Sequence, residues 1–252
     1  MKRLGGYVLS AGIIAALGGA TACEHNDQSM YLSHVQAPPD DCIYKPDPTA
    51  PFISSGAADI ALASSYTAVF LAGNQLLARG EKVTVRAESA RITVKGAVVS
   101  VSFADGTPWP GGDATRDFTT LTSSTIGPDT SSTATFGVVP LTLLDPKTIE
   151  VLRGMLPNRS ATRTIVAKVK AFGVTLGGQD IESNEFEFPI VVTNGGLITF
   201  PKEADDPATP GPDCLLPRAG GQTSAAKKVC YFGQDQVVDC RDCFGLSICA
   251  AP

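Results

Sequence analysis

Thr164-Ile165-Val166-Ala167-Lys168-Val169-Lys170-Ala171, followed beyond Gly177-Gly178 by Glu185-Phe186-Glu187-Phe188-Pro189-Ile190-Val191-Val192, is the stretch that decides the fold. Ile165, Ala167, Val169 and Ala171 alternate with Lys168 and Lys170, and Phe186, Phe188, Ile190 and Val192 alternate with Glu185 and Glu187. A period of two puts apolar groups on one face of a strand and charges on the other. Two such runs around a glycine pair predict a β-hairpin with one face buried.

The same reading extends outward. Arg91-Ile92-Thr93-Val94-Lys95 alternates, and after Gly96 the pattern resumes at Val99, Val101 and Phe103, so a bulge or bend is expected at the glycine. Tyr66 to Ala72 and Val83 to Ala87 read as further strands, as does Thr133 to Leu143, where Pro140 points to an edge or a bulge. Leu197 to Phe200 is expected to return along the same sheet. One helix is predicted from Pro146 to Met155, capped by Asp145 with proline in its first turn. Thr119 to Thr135, rich in Ser and Thr, reads as a loop. Seven or more short strands and one helix predict an all-β, immunoglobulin-like two-sheet sandwich over residues 52–200.

The ends of the chain have other compositions. Lys2 and Arg3, an apolar run and the small residues before Cys23 have the form of a lipoprotein signal peptide over residues 1–22, with Cys23 acylated as the first mature residue. Loss of Lys2 and Arg3 moves the formal charge from −5 to −7. Nucleic-acid binding, which rests on Lys and Arg neutralising phosphates, is not expected of so acidic a chain. Residues 23–51, with Pro38, Pro39, Pro46, Pro48 and Pro51, read as a solvated tether. Residues 201–213 read as a second linker, and residues 214–252 as a Cys-rich tail too small for a core of its own.

Seven cysteines leave six once Cys23 is lipidated: Cys42, Cys214, Cys230, Cys240, Cys243 and Cys249. In an oxidising compartment these are expected as disulfides, with 15 connectivities open. If all six pair, Cys42 must reach the C-terminal cluster.

Three further stretches, Phe70-Leu71-Ala72-Gly73-Asn74-Gln75-Leu76, Glu182 to Ile190 and Gly233 to Cys240, resemble exported lipoproteins of the myxobacterial type. The resemblance implies an exported β-domain and brings no activity with it. It also implies cysteines at the positions held here by Thr193 and Gly196, so one bridge of that pattern is missing. Glu24 follows the acylated cysteine. Aspartate at that place retains lipoproteins at the inner membrane, so the outer membrane is the expected location, on either face.

Candidate chemistry is sparse. His25 and His34, the only histidines, fall in the tether, leaving a Ser–His–Asp relay or a histidine zinc site without its histidine. Cys240-Arg241-Asp242-Cys243 is a C-x-x-C, read as structural disulfide cysteines, with a thiol–disulfide redox pair as the alternative. Asp105, Asp113 and Asp117 surround a turn; paired carboxylates could serve a glycan hydrolase, but Asp and Gly are ordinary turn residues. Trp109, the single tryptophan, sits between prolines and is the candidate binding residue, against the structural alternative that it folds over the sandwich end. No cofactor, metal site or catalytic residue is expected. The function expected is binding or structural: a lipid-anchored envelope module, not an enzyme, that contacts another envelope protein or a glycan.

Overall fold

The computed structural model describes residues 29–80, 87–129, 134–159, 161–217, 229–243 and 245–250. Within them the decisive hairpin is present. Strands β8 (Thr162–Thr175) and β9 (Asp180–Thr193) pair antiparallel, with Ile165 opposite Ile190, Lys168 opposite Glu187 and Val169 opposite Phe186. Gly178 takes φ 85°, the left-handed conformation that glycine adopts without steric penalty.

The remaining strands are β1 (Met30–Gln36), β2 (Phe52–Ile53), β3 (Gly56–Asp59), β4 (Tyr66–Asn74), β5 (Ile92–Phe103), β6 (Asp117–Ile126), β7 (Thr135–Leu144), β10 (Ile198–Thr199) and β11 (Val238–Asp239). They form a four-stranded sheet in the order β2-β1-β4-β7, a five-stranded sheet in the order β3-β9-β8-β5-β6, and a two-stranded pair, β10-β11. Side chains from the two large sheets share one hydrophobic core, in which Tyr66, Phe70 and Phe188 are the largest fully buried groups. Ile165, Ala167, Val169 and Ala171 enter it from β8, as their spacing requires. Phe186 meets Phe70 edge-on at 5.4 Å between ring centroids.

Both β5 pairings shift register between Val94 and Gly96, where the bulge is expected. A Cβ on Gly96 would lie 2.3 Å from the Thr120 carbonyl and 2.9 Å from the Phe172 ring, so only glycine fits. Pro140 lies in β7, an edge strand. Helix α2 (Pro146–Met155) starts at Asp145, whose carboxylate accepts from the Thr148 amide at 2.8 Å. A short helix α1 (Asp113–Arg116) precedes β6.

Several expectations are corrected. The stretch read as a tether contains β1, whose Met30, Leu32 and Val35 are buried in the core. The Ser/Thr-rich stretch is not a loop throughout: Asp117–Ile126 is edge strand β6. Leu197 to Phe200 does not rejoin the large sheet, because Ile198 and Thr199 pair in parallel with Val238 and Asp239. Residues 201–213 do not hang free either, since Ala204 is fully buried with Ile198, Val238 and four cysteines in a second small cluster. The strand read over Val83 to Ala87 falls, but for Ala87, outside the described residues, as does the signal segment with Cys23 and His25.

Candidate contact site

The cysteines close the molecule. Cys42 is bonded to Cys230, Cys214 to Cys240, and Cys243 to Cys249. Cys240 and Cys243 therefore have different partners, and both are buried. Asp239 lies beside the Cys214–Cys240 pair, with its carboxylate held by Arg241 at 2.6 Å.

Two aspartates fasten this C-terminal module to the sandwich. Asp59, fully buried at the end of β3, accepts from the amides of Gly195 (2.7 Å), Leu197 (2.9 Å) and Ala61 (3.1 Å). Asp235 accepts from the Ala57 amide at 2.7 Å and the Tyr66 hydroxyl at 2.9 Å. Gln234 receives the Thr67 amide and donates to the Ser65 carbonyl. Burial raises the Asp235 carboxyl above its ordinary pKa, against these hydrogen bonds, which favour the anion. Burial likewise raises the phenols of Tyr66 and Tyr231, and with Tyr231 and Asp235 nearby it pushes Tyr44 up to about 12. Sequence reasoning missed this anchorage. Asp235 has φ 54°, and a residue in the left-handed region leaves no periodic signature.

The acidic turn is neutralised locally. Asp105 pairs with Arg163 at 2.6 Å, while Asp113 and Asp117 both pair with Arg116, at 3.0 and 2.7 Å. The Thr107 hydroxyl and amide, helped by Arg163, hold the Asp105 carboxyl below its usual pKa, and Arg116 with Ser100 does the same for Asp117. Trp109 is half-buried. Its indole N–H donates to the Thr115 hydroxyl at 2.9 Å, and its ring lies 4.9 Å from that of Phe103. It thus covers the end of the core, as the structural alternative holds.

His34 is not a solvated tether residue. It sits in β1 beside the Phe52 ring at 5.3 Å, with Nδ1 3.1 Å from the Ser33 hydroxyl. Burial lowers its pKa. Nε2 is buried without a hydrogen-bond partner among the described residues.

The outer face of the five-stranded sheet carries both fixed charges and apolar groups. Lys168 bridges Glu187 at 2.7 Å, and Lys170 bridges Glu182 at 2.5 Å. Beside this ladder is an apolar group. Leu121 on β6 is opposite Gly96, with the Phe172 ring of β8 on the other side, and Val98 is two residues further along β5. Leu121 is 79% exposed and Val98 is 52% exposed. Isolated surface leucines are ordinary, but adjoining apolar side chains on a rigid sheet, framed by fixed charges, have the composition of a contact patch. No family model, curated protein or solved structure matches the chain.

Proposed function

We propose that this is an exported, lipid-anchored envelope protein whose immunoglobulin-like sandwich serves as a contact module, with the outer face of the five-stranded sheet as its contact surface. The single observation that carries the contact role is the exposed pair Leu121 and Val98, with the half-buried Phe172 ring across Gly96 from Leu121, beside the Lys–Glu ladder. Topology supports the immunoglobulin-like reading. The first strands divide between the sheets, with β1 in one and β3 in the other, and β8 and β9 are neighbours in the second. Three disulfides support an oxidising compartment. Anchorage rests on the leader and Cys23.

The partner is a protein or glycan of the envelope. A photo-crosslinking residue at position 98, activated in native membranes, is expected to give an adduct of defined mass that disappears when Leu121→Asp is added. An adduct that survives Leu121→Asp, or none at all, would contradict the assignment of this face.

A further inference from the structure

We propose that the end of the sandwich carrying Leu77 and Leu176 rests on the lipid surface, with the cysteine-stapled module at the far end. This inference rests on the anchored reading. Between Cys23 and Met30 lie six residues, because β1 begins at Met30. Fully extended, that length of chain reaches about 25 Å. A lipid on Cys23 therefore holds the start of β1 close to the membrane, where a proline stalk would have lifted the domain away.

The elements at that end are fixed by their bonds. Ser29 accepts the Gln75 amide at 2.8 Å, and Ser29, Leu76, Gln179 and Asp180 line one cleft of about 600 Å³. The Leu176 and Gly177 amides donate to the Arg91 and Ser89 carbonyls, and Asn74 donates to the carbonyl of Ala90. The loop after β4, the segment before β5 and the β8–β9 turn thus form one tip. On it Leu77 is 64% exposed and Leu176 is 63% exposed. Leucines at the tips of ordered turns are suited to the headgroup–acyl boundary, where burial of apolar area supplies the binding. Arg91 lies close enough to Glu88 to lower that carboxyl's pKa, while the groups proposed for the contact are the two leucines. The opposite end holds Gly195, where an added Cβ would lie 3.0 Å from Ile248 of the stapled module. The two ends are separated by the 14 residues of β9, about 45 Å of strand.

The test uses the processed, full chain in vesicles of phosphatidylcholine with brominated acyl chains, and a fluorescent non-natural residue at position 77, 176 or 246. Emission at 77 and 176 is expected to be lost to bromine quenching, while that at 246 keeps its solution value. Unquenched emission at 77 and 176, in protein whose Cys23 peptide carries the acyl mass, would overturn the orientation and leave the anchor standing. A Cys23 peptide without acyl mass would overturn both.

Discussion

Asp59 shows how much a single buried side chain can organise. Its carboxylate takes three backbone amides, two of them from the turn that leads the chain out of β9 toward the C-terminal module. Asp59→Ala strands those donors in a dry site, and each unsatisfied buried group costs about 1–3 kcal/mol. The expected loss, read by chemical denaturation, is about 3 kcal/mol or more, with the module loosened. Asp235 gives a prediction about pH dependence. Its pKa is raised in the folded protein, so folding favours the protonated form. Its contribution to stability is complete below the ordinary carboxylate pKa and is lost as pH rises through the folded value. The wild type should therefore gain stability relative to Asp235→Asn as pH falls from neutrality toward about 4. A stability difference independent of pH would contradict this. The six cysteines were legible as disulfide residues, while Asp59 and Asp235 were not singled out. The bonding partners were not legible either, because connectivity and left-handed backbone depend on contacts far away in sequence.

Among the elements, the hairpin and α2 were plain in the sequence, for different reasons. The hairpin has strict alternation, so one face could be buried only by a sheet. The helix has a cap and a first-turn proline, and Asp145→Ala should cost about 1 kcal/mol in thermal or denaturant unfolding. Strand β1 was hidden. A register shift between Leu32 and His34 breaks its alternation, and the prolines that follow dominate the composition. Strand β6 was hidden because it is an edge strand. Its many Ser and Thr side chains are tolerated where so few positions must enter the core, and only Thr120 and Ile126 of the strand are buried. The contact face was half legible. The Lys–Glu ladder follows from the alternation, but the meeting of Leu121, Phe172 and Val98 depends on the bulge at Gly96.

At the scale of the whole molecule, the order of the elements makes the cysteine-rich tail a clasp on the sandwich rather than an appendage. The Cys42–Cys230 bridge spans 188 residues, and the Cys243–Cys249 bridge spans 6. Loop-closure entropy assigns about 5 kcal/mol to a loop as long as the first and about 2 kcal/mol to one as short as the second. Replacing Cys42 and Cys230 with serine should therefore lower stability more than replacing Cys243 and Cys249, as read by denaturant midpoints on the otherwise oxidised protein. The proposed protein is an anchored, exported module with these three closures. The most direct test is non-reducing peptide mapping by mass spectrometry on protein from native membranes, with free thiols blocked at lysis. An acylated peptide starting at Cys23 and the bridges 42–230, 214–240 and 243–249 are expected. A peptide running unmodified through Cys23, or Cys240 and Cys243 bearing the blocking label, would contradict that expectation.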